Sequence, residues 1–300
     1  MMEKRTLGRT GLSITPIGFG GMELQHCNNK EAQALLNTVL DLGINYIDTS
    51  PEYPVSEYYI GAHLSKRRHE YILATKCGDN LYDEGPAYQF DRKTCQRNLE
   101  DSLRLMKTDY IDVWQLHAVV PSCIAGGMQD DVISYMLDMK AQGKVRFLGA
   151  TIRNGRGTEE GYPDQFGYDS LGVFSQWNML DVIQVVYGGL TRKSENAITS
   201  AASKGQGIIA RGVLKNYKPW YSEAFEKSGV LSLLDDTASK QEFLIRYALS
   251  HPNLSSMVIG TKSAEHFAQD VSYAKKGAYS PERRIAIQQR LDSAGFIAMP

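Results

Sequence analysis

Residues 44–61 read INYIDTSPEYPVSEYYIG. Ile44 to Ile47 is a short apolar run with a β-branched residue at each end. Gly43 bounds it on one side and Thr49, Ser50 and Pro51 on the other. This is the signature of a buried strand that stops at a polar loop. Asp48 stands where the strand ends, Tyr53 lies in the loop, and Ser56 and Glu57 open a helix. An acid at a strand end, a tyrosine in the next loop and a helix behind them form a site-like arrangement. Taken alone, the plainer reading is the stronger: Asp48 caps the loop and Tyr53 is a surface aromatic.

Outward from this stretch the pattern repeats. Upstream, Arg5 to Ile14 reads as two short strands around a Gly-containing turn. Pro16 to Gly21 is a strand ending in two glycines, and 30–42 is a helix with Ala34, Leu35, Thr38, Val39 and Leu42 on one face. Downstream, strands are expected at 71–75, 110–116, 145–150, 182–186, 207–210 and 256–259. Helices are expected at 56–66, 91–106, 128–142, near 164–175, and at 193–204, 237–250, 263–275 and 281–293. The segment 211–236 reads as one long loop carrying Pro219 and Trp220. Apolar strands alternating with amphipathic helices predict a parallel β/α architecture. Eight such units follow the N-terminal hairpin, which fits a (β/α)8 TIM barrel of about 250 residues with an extra C-terminal helix. A doubly wound open sheet is the rival, but Gly18-x-Gly20-Gly21 does not complete G-x-G-x-x-G, because position 23 is Glu. No composition break or linker divides the chain, so a single domain over 1–300 is expected.

Composition sets the outer limits. The 300 residues are 42% hydrophobic and 22% charged, with 33 basic against 34 acidic side chains. Such a balance gives no reason to expect nucleic acid or an anionic membrane as partner. No apolar run approaches the roughly 20 residues of a membrane span, and the N-terminus lacks the apolar core of a signal peptide. The four cysteines, Cys27, Cys77, Cys95 and Cys123, are scattered without a C-x-x-C. No metal site is expected from them, and a reduced cytoplasm is the natural compartment.

The strand ends carry the chemistry. Asp48 closes the second strand, Lys76 the third and His117 the fourth, with Tyr53 in the loop after the second. In a parallel barrel these ends are neighbours on the C-terminal face, where such barrels place their active sites. Tyrosine, with an ordinary pKa of about 10, exchanges protons poorly near neutrality. A nearby ammonium lowers that value; Lys76 supplies one and Asp48 can hold it. A neutral His117 can donate a hydrogen bond to a carbonyl oxygen. The set suits proton transfer at a carbonyl that gains or loses hydride. No side chain donates hydride, so a nicotinamide cofactor is implied.

With these residues in view, the chain resembles the aldo-keto reductase superfamily over essentially its whole length. LGRTGLSITPIGFGGM resembles the family's N-terminal hairpin and first strand, and INYIDTSPEYPVSE its Asp-Thr-Ala…Tyr-Gly-x-Ser-Glu motif. ATKCG and DVWQLH resemble its Lys and His motifs, and GKVRFLGAT its fifth strand. The resemblance implies a barrel binding NADP(H) in extended form, with NAD(H) as the alternative, and a catalytic tetrad of Asp48, Tyr53, Lys76 and His117. It implies a carboxamide site at Thr151, where the family usually has Ser, and at Gln184. Ile152 stands where many members have Asn. Arg211 falls where some branches place an aromatic and others an Arg. Gly212, Val213 and Leu214 would line the pyrophosphate, and Gly21 and Met22 would border the cofactor. Gly260, Thr261, Lys262, Ser263, His266 and Asp270 fall in the segment that holds the 2′-phosphate and adenine. Members often carry Arg or Gln in place of His266 and Asn in place of Asp270.

The substrate expected is a small carbonyl compound or sugar. The loops at 118–127 and 211–236, Tyr82, Tyr88 and Trp220, and an apolar tail able to reach over the barrel mouth are the candidate determinants. Two other functions stay open: sugar epimerisation with a retained cofactor, and a regulatory nucleotide-binding barrel without turnover. The sequence leaves the oligomeric state open.

Overall fold

The computed structural model describes residues 2–152, 168–215, 219–234 and 239–298. Eight parallel strands close into a barrel: β3 (Ile17–Gly20), β4 (Tyr46–Asp48), β5 (Ile72–Cys77), β6 (Ile111–Val119), β7 (Val145–Ile152), β8 (Val182–Val186), β9 (Gly207–Arg211) and β10 (Ser256–Ile259). β10 pairs with both β9 and β3, which completes the ring. The (β/α)8 reading holds and the open-sheet rival falls.

The helices are α1 (Asn29–Asp41), α2 (Ser56–Leu64), α3 (Arg92–Met106), α4 (Asp131–Ala141), α5 (Tyr168–Phe174), α6 (Glu195–Ser203), α7 (Trp220–Ser228), α8 (Lys240–Leu249), α9 (Ala264–Lys275) and α10 (Pro281–Ser293). Side-chain caps set several starts. Asn28 closes a capping box with Glu31, and Asp91, Asp130, Ser239, Ser263 and Ser280 each accept a backbone N–H of the first turn. Each cap satisfies a donor with no partner inside its helix. In α1 the buried stripe is Ala32, Leu35, Leu36, Val39 and Leu40. The expected face through Ala34 and Thr38 is rotated, because the true stripe gathers five apolar side chains at helical spacing and leaves Thr38 at the margin.

The hairpin of β1 (Arg5–Thr6) and β2 (Ser13–Ile14) closes the barrel's N-terminal end. Leu7, Leu12 and Ile14 pack into one apolar cluster with Tyr46, Ala74, Val113, Val182 and Ile209 from the strands. Gly8, at φ +48°, touches β9 so closely that a Cβ there would lie 2.2 Å from the Gly207 nitrogen.

The segment expected to be one long loop contains α7, whose Tyr221, Phe225 and Ser228 are buried at helical spacing behind Pro219. Its residues 216–218 and 235–238, the stretch 153–167, and with it the start of the helix expected near 164, lie outside the described residues. The last two residues of the apolar tail lie outside the described residues. Phe296 is buried against Trp220 and Tyr221, and its carbonyl accepts from Arg192 Nη1 at 3.0 Å. Arg192 also holds Glu195 and Asp292, so a buried ion cluster ties α10 and the tail to α6. Among the described residues, no helix is long and apolar enough to cross a membrane.

Candidate active site

Strand parity builds the site. Side chains two residues apart on a strand share a face. Tyr46, Ala74, Val113, Val182 and Ile209 form the apolar interior, so Asp48, Lys76, Gln115, Gln184 and Arg211, two residues further along their strands, come one layer above it. Pairing brings Lys76 opposite Gln115 and Thr151 opposite Gln184. The interior thus changes from apolar to polar toward the strands' C-terminal ends.

Lys76 is fully buried, and its Nζ donates to Asp48 Oδ2 at 2.7 Å and to the Thr49 carbonyl at 2.6 Å. Gln115 and Gln184 each donate from Nε2 to Asp48 Oδ1 at 3.0 Å. Thr151 Oγ1 donates to Gln184 Oε1 at 3.3 Å. The carboxylate is held by three donors, as a buried charge requires. Burial pulls the Lys76 ammonium down, but Asp48, Tyr53 and Asp79 outweigh it, and Lys76 ends above its ordinary value.

The Lys76 ammonium lies 4.9 Å from the Tyr53 ring centroid. It favours tyrosinate as expected, and Arg211 adds to it, yet burial is the larger influence and leaves the phenol above its ordinary value. The expected net lowering is therefore reversed: near neutrality Tyr53 keeps its proton. The loop carrying Tyr53 turns through Val55, a β-branched residue at φ 57°, a sterically disfavoured conformation.

His117 does not end its strand. β6 runs on to Val119, and its register against β7 shifts after Leu116. Ala118 takes φ 50° in this bulge, a device that re-aims a neighbouring side chain. His117 Nδ1 sits 2.6 Å from Asp79 Oδ1 and 3.1 Å from Ser50 Oγ. Ser50 gives its proton to Asp79 Oδ2 at 2.7 Å. Tyr88 meets the imidazole edge-on at 5.3 Å and donates to Glu52. Burial pushes Asp79 up, but His117, Ser50 and Lys76 outweigh it, and its carboxyl lies below the usual range. Asn98 on α3 holds the Asp79 segment, accepting from the backbone N–H groups of Gly78 and Asp79 and donating to the Asp79 carbonyl.

A cleft opens beside this cluster. Of the residues singled out in the sequence, Met22, Asp48, Tyr53, Gln184, Arg211, Gly212, Val213, Leu214 and Gly260 line it, joined by Gly20, Glu23, Lys215, Val258 and Ile259. Gly21 lies behind the wall, where a Cβ would meet Ser56 Oγ at 2.5 Å. Thr261, Lys262, Ser263 and His266 lie past Gly260 at the start of α9. Thr261 Oγ1 and Ser263 Oγ accept the backbone N–H groups of Ser263 and His266, which leaves both hydroxyl protons to donate outward. Asp270 is buried, accepts from Gln241 at 2.5 Å, and is pushed up to about 6 by burial. Tyr82 bonds Asp101 on α3 and Trp220 stacks on Phe296, so of the three loop aromatics only Tyr88 meets the cluster.

Sequence reading missed Gln115, Ser50, Asp79 and Glu23. Gln115 was within reach, since it shares the parity of His117 two residues on. Asp79 carries no local signal, because it meets His117 across 38 residues of chain.

These features fit an elongated anionic cofactor. Arg211 Nε is buried without a partner among the described residues. Gly20 and Gly260 press together so closely that a Cβ on Gly260 would lie 3.0 Å from the Gly20 carbonyl oxygen. The start of α9 adds a partial positive charge.

The helix behind the site carries its own titration. Glu57 is buried in the first turn of α2, where its Oε1 accepts from Thr75 and Ser102 while Oε2 has no partner among the described residues. Burial pushes Glu57 up to about 7. The folded state therefore keeps this proton to higher pH than the unfolded chain. Stability is lost as pH rises from the ordinary carboxyl value to about 7, by on the order of 3 kcal/mol. Glu57→Gln keeps the acceptor and removes the charge. Its thermal midpoint is expected to match the wild type near pH 4 and to exceed it at pH 8; equal midpoints at both pH values would rule out a buried proton on Glu57.

The profile of the Aldo/keto reductase family matches residues 16–290. The chain belongs to the aldo/keto reductase family, and it is an NAD(P)H-dependent oxidoreductase. It is 29% identical to an L-galactose dehydrogenase of Arabidopsis thaliana, covering 90% of this chain and 88% of the relative. It is 24% identical to an NADH-specific methylglyoxal reductase of Escherichia coli, covering 94% and 91%. Aldo-keto reductase AKR11C1 from Bacillus halodurans, in its holo form, superposes with a TM-score of 0.83 at 25% identity, covering 97% of this chain and 96% of that one.

Proposed function

We propose that this chain reversibly reduces the carbonyl of an aldehyde, ketone or sugar, with Tyr53 as the proton donor and NADP(H) preferred over NAD(H). The observation that carries this reading is the Tyr53–Lys76–Asp48 cluster beside the cleft, with His117 across from the same phenol at 6.0 Å. When bound, the nicotinamide supplies the hydride that no side chain can. Tyr53 gives its proton to the substrate oxygen as charge develops there. Lys76 and Arg211 steady the phenolate left behind. Asp48 fixes Lys76, and Gln115 and Gln184 fix Asp48. The cofactor's phosphates would be received by Gly212 to Leu214 and by Thr261, Lys262 and Ser263, with His266 at the rim. A reduced cytoplasm remains the compartment that suits the unpaired cysteines.

Mixing the protein with a reduced nicotinamide and a panel of aldehydes, ketones and sugars tests this directly. Loss of the reduced cofactor's absorbance together with alcohol formation is expected. Bound cofactor with no turnover of any of them would overturn it.

Coenzyme preference rests on the start of α9. Lys262 offers a point charge and Thr261 and Ser263 offer hydroxyl protons, but the segment 260–270 carries no Arg to clamp a phosphate, so discrimination is weaker than with one. The relative named NADH-specific makes this a live distinction within the family. A charge-assisted hydrogen bond contributes about 1.5–3 kcal/mol, or about 10- to 150-fold. Lys262→Ala is expected to weaken NADPH binding by that factor in a fluorescence titration and to leave NADH unchanged. Equal losses for the two cofactors would make NAD(H) the better assignment.

A further inference from the structure

We propose that Asp79 is a positioning residue that fixes His117 as the Nδ1–H tautomer, so that neutral His117 turns a hydrogen-bond acceptor, Nε2, toward the substrate and donates to it only when protonated. The inference rests on the reading above in one respect, that His117 faces the substrate.

The tautomer follows from what surrounds Nδ1. Asp79 Oδ1 lies 2.6 Å away and Glu52 Oε2 3.6 Å away, and both are acceptors. Ser50 Oγ, at 3.1 Å, has one proton, and Asp79 Oδ2 takes it at 2.7 Å. Every neighbour of Nδ1 therefore asks for a proton, so Nδ1 carries one. A neutral imidazole has only one ring proton, which leaves Nε2 with its lone pair. No hydrogen bond to Nε2 is found among the described residues. The expected role of neutral His117 as donor to a carbonyl is thus inverted. In that state it suits the hydroxyl of an alcohol; a carbonyl oxygen requires the imidazolium.

Asp79 is itself fixed. Its carboxylate is buried, held in place by Ser50, by the Glu52 backbone N–H at 3.2 Å and by Asn98 behind its own backbone. The titratable groups facing His117 among the described residues are Asp79 and Tyr88 from the segment after β5, and Glu52 and Tyr53 from the loop after β4. The Lys76 charge reaches Asp79 from β5.

Two measurements test this. The first is nitrogen NMR of the histidine-labelled, unmutated protein with no substrate present, with His117 assigned by its absence in His117→Asn. At alkaline pH the proton is expected on Nδ1; a proton on Nε2 overturns the proposal whatever the enzyme's substrate proves to be. The second is the same nitrogen spectrum of Asp79→Asn, close in shape and without the charge, where the proton is expected to be shared between Nδ1 and Nε2. A proton still confined to Nδ1 in that variant would mark Asp79 as merely structural and overturn its positioning role. If Asp79→Asn fails to fold, the spectrum of the unmutated protein still decides. If no carbonyl is turned over, the functional reading fails and the tautomer result stands apart from it.

Discussion

Tyr53→Phe is expected to reduce carbonyl reduction by about 100- to 10,000-fold, the usual contribution of a general acid, while binding of the reduced nicotinamide stays nearly unchanged. The ring of Tyr53 lines the cleft, and Phe preserves that ring. What disappears is the phenol proton, whose oxygen makes no hydrogen bond to the protein among the described residues and is left to meet the substrate. Burial holds this proton on the phenol at neutral pH, so the wild type begins each turnover charged with it. The separation is read from stopped-flow hydride transfer against a fluorescence titration of cofactor binding. A variant keeping more than half of wild-type activity would remove Tyr53 from the role. A parallel collapse of cofactor binding would assign the ring, not the proton.

Lys76→Met should lower the rate comparably and also destabilise the fold. Lys76 is buried with Asp48 at 2.7 Å, and removing one member of a buried pair costs about 3–5 kcal/mol because the other charge is left without its counter-charge. Gln115 and Gln184 remain on Asp48, but they are neutral donors. The double variant Lys76→Met with Asp48→Asn separates the two effects. It removes both charges, so it should recover much of the stability in a denaturant melt and none of the rate. Recovery of both would mean that Lys76 serves only the fold. Asp48→Asn alone acts one step further from the substrate. It leaves Lys76 against burial without its carboxylate, so its loss of rate is expected to be smaller at low pH and to grow as Lys76 discharges on raising the pH. A normal rate in Lys76→Met would shift attention to Arg211, the other cation whose charge reaches Tyr53.

Most of the barrel was legible in the sequence because its signals are local. A strand's faces alternate by two and a helix's stripe recurs by three and four, and both patterns are written in consecutive residues. Closure of eight parallel strands then places every strand end on one face. Asp48, Lys76 and His117 therefore emerge as neighbours from spacing, with Tyr53 in the loop after Asp48, although β5 runs one residue past Lys76 and β6 two past His117. The segment around α7 carries loop signals at Pro219 and Trp220, and its helical signal, the buried spacing of Tyr221, Phe225 and Ser228, is short.

What only the tertiary structure decided depends on groups far apart in the chain meeting in a dry interior. Gln184 reaches Asp48 across 136 residues and Asp79 reaches His117 across 38. Neither distance leaves a trace in local pattern, since loop closure and barrel registration fix both. The sign of the Tyr53 shift belongs here too: the sequence supplied the neighbouring ammonium, but the depth of burial that outweighs it exists only once the barrel has closed. The tautomer of His117 is the same case, for the sequence offers an imidazole and the fold chooses which nitrogen faces the carboxylate.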